Sequence, residues 1–377
     1  MRQPQQVSRS RARPPGRGVL GGVGVAMALA LPAVAAPLDA LLTAMPEHTA
    51  PNGSIEIGVD RLNGHLDFLN ARASDPTAAG TTSGDYSGSH VAGSVRLRDG
   101  LWLSGSLWQR KLSDAADTYH YDSWQLSGLY RFLDAAGATP ALALRLSAWG
   151  NRAPETYTST PIHVPGAVLN TVTVSKPADR QLQADLIGTW KAAESVDINA
   201  SLGAGITQLS YGGLAATTTR NGCNYQLAFN GNDIFGTLIP PCNSSGGVIT
   251  QFYDSSGEYG VDVAHEIAWR GHFMQAGINA AWRSGPWTLL GGYLFHYVRR
   301  ESVDDILASR GDPVHRHNHL ISLQGDYAVA DHLSIFLRTQ LSSNLFFNDI
   351  PVTYNSSTSS HFGSRYSLYT LGLRAGF

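Results

Sequence analysis

The chain has 377 residues, of which 43% are hydrophobic and only 15% charged, and 27 Lys and Arg face 29 Asp and Glu for a net charge of −2. That balance gives no reason to expect a nucleic-acid partner, and the charge content lies below the roughly 25% usual in soluble globular domains. No apolar run of about 18 or more residues follows the N-terminal region, which excludes a bundle of membrane-spanning helices.

The N-terminus reads as a targeting segment. Arg2, Arg9, Arg11, Arg13 and Arg17 form a basic region, Val19 to Leu31 is apolar, and Ala33-Val34-Ala35 supplies the small residues of a cleavage site. Residues 1–35 are therefore expected to be a signal peptide cut after Ala35, since a cut after Ala36 would put Pro37 beside the scissile bond. Residues 36–52 read as a linker in which Leu38, Leu41, Leu42 and Met45 fall at the spacing of a short amphipathic turn, and 53–377 reads as one domain.

From Ser54 onward apolar and polar residues alternate, the signature of strands with two unlike faces. Strand candidates run over 53–69, 87–98, 101–111, 120–133, 139–150, 180–191, 195–210, 271–284, 286–300, 314–328, 331–345 and 364–377. Short joins at Asp99-Gly100, 134–139, 192–195, Ser284-Gly285 and Val329-Ala330 alternate with long ones at 70–86, 112–119, 151–179, 211–256, 301–313 and 346–363. Gly257 to Arg270 also alternates, but the phase flips near Gly271. A glycine bulge in one long strand explains the flip and keeps the count at twelve; a hairpin at Arg270-Gly271 with a further strand near Gly247–Tyr253 would make fourteen.

One face of these strands carries residues such as Val91, Leu107, Trp124, Leu144, Leu186, Ile198 and Leu337, without a charge. The other carries residues such as Ser104, Gln125, Ser147, Gln183, Asn199, Ser322 and Gln340. The last stretch, Tyr366 to Phe377, repeats the pattern: Tyr369, Leu371, Leu373, Ala375 and Phe377 alternate with Thr370, Gly372, Arg374 and Gly376. With its closing aromatic it resembles the terminal strand of bacterial outer-membrane β-barrels, although Ala375 stands where a larger residue is more usual. The resemblance implies that Tyr369, Leu371, Leu373 and Phe377 form the signal read by the barrel-assembly machinery.

Signal, alternation, join lengths, even count and terminal strand converge on an all-β fold: a transmembrane antiparallel up-and-down β-barrel with short periplasmic turns and long external loops. The linker then lies in the periplasm, the expected location is the outer membrane, and its lipids are expected partners. The sequence calls for no cofactor.

In such a barrel the polar face lines a lumen, and lumen-lining groups set selectivity. Arg96, Arg131, Arg145, Arg338 and Arg374 fall on it, opposed by acids that include Asp185 and Asp326, while Trp102 and Trp149 could stack against sugar rings. Guanidinium forks suit carboxylate, sulfate or phosphate. The leading expectation is a passive channel for small hydrophilic solutes, anionic or saccharide; the same inward charges could instead neutralise one another and fill a closed barrel that works through its external loops. A lipid-active hydrolase would need a Ser, His and acid gathered at one rim, and no known barrel-enzyme signature accompanies the available serines and histidines. His315, His317 and His319 fall at alternate positions and are weak candidates for a metal, a role that polar residues above the lipid explain as well. Cys223 and Cys242, in one long external loop, are expected to pair in an oxidising compartment.

Overall fold

The computed structural model describes residues 39–43, 52–62, 85–113, 117–137, 139–159, 161–164, 166–242, 247–259, 261–343, 350–356, 358–363 and 365–377. The expected signal peptide and most of the expected linker lie outside them.

Twelve antiparallel strands close into a barrel. They are β1 (Gly53–Leu62), β2 (Asp85–Arg98), β3 (Leu101–Ser113), β4 (Thr118–Leu133), β5 (Ala141–Arg152), β9 (Ala178–Ala193), β10 (Val196–Ser210), β15 (Arg270–Ser284), β16 (Trp287–Arg300), β17 (His317–Ala330), β18 (Leu333–Ser342) and β19 (Tyr366–Gly376). Each pairs with the next in this order, and β1 pairs with β19 from Ser54↔Gly376 to Leu62↔Leu368 to close the ring. The short joins fold as tight turns with glycine in the left-handed region, at Gly100 (φ 74°) and Gly285 (φ 55°).

Alternation sorts the barrel side chains cleanly. Ile57, Val59, Leu107, Leu126, Leu146, Leu186, Leu202, Ile278, Leu323, Leu337 and Leu371 point outward and are exposed, whereas Gln125, Ser147, Asp185, Asn199, Ser322 and Gln340 point inward and are buried. A soluble sandwich would do the reverse. Exposed aromatics beside the short turns, Tyr130, Phe132, Trp190, Trp282, Trp287 and Tyr327, ring the lower edge of this apolar belt, as interfacial girdles do. This is a transmembrane barrel.

Gly257–Arg270 corrects the expectation of a bulged strand. It forms a short 3-10 turn (Ser256–Tyr259) and helix α1 (Val263–Ile267), and β15 begins only at Arg270. Val263 and Ile267, placed on one strand face by a period of two, are also four apart and so fit a helical turn. Asn232 and Glu266 accept hydrogen bonds from the Ala264 and Asp262 backbone N–H groups (3.1 and 2.8 Å), which secures that turn. The fourteen-strand alternative fails as well, since its extra strand joins a different sheet.

That second sheet is the feature the long joins concealed. Segments β6 (Glu155–Thr158), β7 (Ile162–Val164) and β8 (Ala167–Ser175) leave the external end of β5, and β11 (Gly213–Arg220), β12 (Cys223–Asn230), β13 (Asp233–Ile239) and β14 (Gln251–Ser255) leave that of β10. They assemble into seven strands ordered β14-β13-β12-β11-β8-β6, with β7 also on β8. Two-residue turns at Asn221-Gly222 (φ 52° and 77°) and Gly231-Asn232 (Gly231 φ 60°) connect its hairpins. One face buries Ala216, Tyr225, Leu227 and Ile234, and the Cys223–Cys242 disulfide lies in the same cluster.

Candidate functional site

The barrel interior is built from inward side chains at every second strand position, and all nine lumen candidates stand on that inner wall. Most are engaged. Glu56, fully buried, receives Arg374 Nη2 at 2.7 Å, lies 3.5 Å from Arg338 Nη2 and touches His90 Nε2 at 3.2 Å. The other His90 nitrogen lies 3.2 Å from Asp60, which also accepts from Thr370 Oγ1 at 2.6 Å. Arg374 reaches Asp326 as well (2.9 Å), and Arg338 Nε donates to Gln324 Oε1 (2.6 Å). Across the lumen Arg145 pairs with buried Asp185 at 3.0 Å, and Gln183 and Gln275 also donate to that carboxylate (2.6 and 3.0 Å). Arg131 binds Asp134, and Arg96 bonds the Asn52 side chain while lying over the Trp102 ring, both at the periplasmic end.

The tryptophans are walled in. Trp102 packs with Leu129, Ala143 and Ile187, and Trp149 with Phe273 and Val298.

Part of the chain itself occupies the lumen. Asp39–Thr43, within the stretch read as a linker, lies against the inner walls of β15, β16 and β17, and Ala40–Thr43 of it makes one 3-10 turn. Ala40 is wholly buried between Leu294 and Leu320, and its carbonyl accepts from Asn279 Nδ2 at 3.2 Å. Asp39 lies 3.6 Å from Arg338. Gly292 makes this approach possible, because a Cβ there would meet the Ala40 oxygen at 2.9 Å.

The external mouth is covered by residues 350–356 and 358–363, which lie between β18 and β19. Ile350 packs among Tyr86, Leu112, Tyr121 and Ala153, while Tyr354 and Phe362 join Leu209, Trp269, Val303 and Leu307 on the opposite side. Val303 and Leu307 belong to helix α2 (Val303–Arg310). Trp269 Nε1 donates to the Tyr354 carbonyl at 2.9 Å, and the Val352 N–H donates to Asp179 at 3.2 Å. Buried Arg300 lies 3.7 Å from the Tyr354 ring centroid, donates to the His315 carbonyl at 2.8 Å and pairs with Asp304. Burial, with Arg300 beside it, holds the His315 imidazole below its ordinary range. Burial likewise raises the Tyr354 phenol, against the pull of Arg300.

The histidine triplet is corrected. β17 starts at His317, so only His317 and His319 share its outward face; His315 belongs to the preceding loop and turns toward Gly363 because Arg300 captures its backbone. Among the described residues no three His, Cys, Asp or Glu side chains converge to hold a metal. At the rim, Ser123 donates to Asn151, which donates to Asp179 (2.5 and 2.9 Å), a chain that contains no imidazole.

Above the mouth, the free face of the extracellular sheet runs Tyr157, Thr173, Ala215, Ala228, Phe235, Tyr253 in one cross-strand row and Thr171, Thr217, Gln226, Thr237, Gln251 in the next. None of these side chains carries a charge, and Phe235 and Tyr253 form an exposed edge-to-face pair at 5.2 Å. Sequence reasoning treated both joins as loops, yet Asn221-Gly222 and Gly231-Asn232 between alternating stretches are hairpin signals that mark β11 to β13.

No protein-family model matches the chain, and no curated protein matches it in sequence. Among solved structures it is similar to the translocator domain of the autotransporter NalP from Neisseria meningitidis, at 11% identity over 88% of this chain and 90% of that one with a TM-score of 0.46. It is also similar to the KdgM porin in complex with disordered oligogalacturonate, at 9% identity over 86% and 99% with a TM-score of 0.36. A third is the P. putida toluene transporter TodX, at 10% identity over 90% and 92% with a TM-score of 0.35. These are outer-membrane β-barrels, the class to which the closed twelve-stranded fold conforms; likenesses this distant carry no argument about function.

Proposed function

We propose that this protein is a closed outer-membrane barrel, exported by its N-terminal signal, that serves as a membrane-anchored platform and works through the extracellular sheet. The observation that carries this reading is the filled interior. Ion-paired side chains and the Asp39–Thr43 segment that meets them at Arg338 occupy the barrel, and residues of the β18–β19 connection pack over its mouth. A path for hydrophilic solutes would need those pairs solvated, and instead Glu56 and Asp185 are fully buried. The two uncharged rows of that sheet face, with their hydroxyl, amide and aromatic groups and with Glu155 and Asp233 in the row beside them, are the surface left for a partner.

A second reading is a gated channel for small anionic or saccharide solutes, with Arg145, Arg338 and Arg374 as selectivity groups. It is favoured by the plug, a single turn tied to the wall through Asn279 and Arg338.

One experiment separates the two: single-channel recording of the mature protein and its Gly292→Leu variant in planar bilayers across a salt gradient. Silence from both supports the platform. Steady anion-selective current from the wild type overturns it, and current from the variant alone establishes the gated channel.

A further inference from the structure

We propose that the external end of the outward face of β15, β16 and β17 is a binding site for the phosphate groups of an outer-leaflet lipid headgroup. This inference stands apart from the platform reading.

Arg270, His272, Arg299, His317 and His319 are all exposed there, on three adjacent strands. The register sets them side by side: His272 faces Arg299 across β15 and β16, and His317 and His319 face Tyr297 and Phe295 across β16 and β17. Glu301 is the carboxylate in contact, 3.0 Å from His272, so the patch keeps a cationic excess. The imidazoles are positioned. Tyr293 Oη lies 2.7 Å from His319 Nδ1, and the His317 ring stacks on Phe295 at 5.9 Å and tilts against Tyr297 at 5.1 Å. With Nδ1 engaged, His319 leaves Nε2 for a ligand.

Height identifies the occupant. Directly below on β15 the exposed outward residues are Met274, Ile278 and Trp282, and on β17 they are Ile321, Leu323 and Tyr327. Met274 to Trp282 is eight residue steps, about 27 Å along the strand and about 21 Å along the membrane normal at a tilt of about 40°. With Trp282, Trp287 and Tyr327 at the inner girdle, the change from apolar to cationic falls where lipid headgroups sit. A lipid phosphate there is held twice, by the cationic groups and by its acyl chains along Met274, Ile278, Ile321 and Leu323. The patch is flanked by uncharged residues, Gln208 beside Arg270 on β10 and Ser343, just past β18, whose Oγ accepts from the His319 backbone N–H at 3.0 Å.

The test uses native mass spectrometry of the full mature chain with lipid A carrying both phosphates and with the same lipid dephosphorylated. The wild type is expected to retain the phosphorylated form about tenfold better, and Arg270→Ser with Arg299→Ser to lose that preference. Arg270→Lys with Arg299→Lys should keep it, and Lys111→Ser with Arg61→Ser, an equal charge loss on β3 and β1 across the barrel, should leave it unchanged; folding of each variant is checked by heat-modifiable migration. Equal retention of the two lipids, equal loss in the distant variant, or displacement by excess inorganic phosphate would each overturn the proposal. Should the serine variant not fold, wild-type retention against the dephosphorylated lipid still decides.

Discussion

Arg145 and Asp185 show how tightly charge and burial are coupled in this lumen. Asp185 is fully buried and accepts from Arg145, Gln183 and Gln275 together. Truncating one partner of a buried pair strands the other, at a cost of about 3 kcal/mol, whereas removing both can come close to neutral. Arg145→Ala is therefore expected to lower stability by about 3 kcal/mol and Arg145→Met with Asp185→Leu to recover most of it. Urea titration of the refolded protein in detergent, followed by tryptophan fluorescence, reads both; equal losses would mean that the amide donors alone hold the carboxylate. The inward placement of these residues was legible in the sequence because strand parity fixes it. Their pairing was not: parity gives a side chain its face, while partner choice depends on register between strands far apart in sequence, such as Gln275 reaching Asp185.

At the scale of elements, the cap over the mouth carries a titration. His315, in the loop before β17, packs against it at Gly363 beside Arg300, Arg316 and Asp304, and burial first, then Arg300, lowers its affinity for a proton while the cap is folded. Below about pH 6.5 the unfolded segment takes up a proton that the folded one resists, so protons favour the open form. Cap stability is thus complete above that pH and falls as pH drops beneath it. Hydrogen exchange of 350–363 is expected to be faster at pH 5.5 than at pH 7.5 after correction for intrinsic rates, and His315→Gln should remove most of the difference; an unchanged ratio in the variant would assign the effect elsewhere. Elements also mark where the sequence was readable. The twelve barrel strands were legible because lipid and lumen impose opposite demands on alternate residues over long runs. The outer strands β6, β7 and β14 are too short for that, and α1 looked like strand because Val263 and Ile267 satisfy both periods. The Ala40 turn left no sign of its position, since small apolar residues suit a linker and a packed lumen equally.

For the whole molecule, the seam between the first and last strands decides when a barrel exists. Phe377 exchanges backbone hydrogen bonds with Gly53, 3.0 Å from the Gly53 N–H and 2.9 Å in return, and its ring lies against that glycine. Phe377→Ser leaves the backbone pairing in place but alters the residue proposed as the assembly signal. The expected outcome is a severalfold fall in heat-modifiable protein recovered from cells, with refolding in detergent close to wild type. A matching loss in detergent would place the role of Phe377 in the seam itself.

The Ser54↔Gly376 pairing has one more consequence, which concerns time. Its two strands are the first and last of the barrel, so the contact that completes the ring has the longest loop to close and is the last of the barrel pairings that synthesis makes available. Until then β1 and β18 each present an unpaired edge able to recruit any other strand. An arrested chain lacking β19 is therefore a sticky open sheet, and safe passage across the periplasm depends on keeping those two edges apart until β19 arrives.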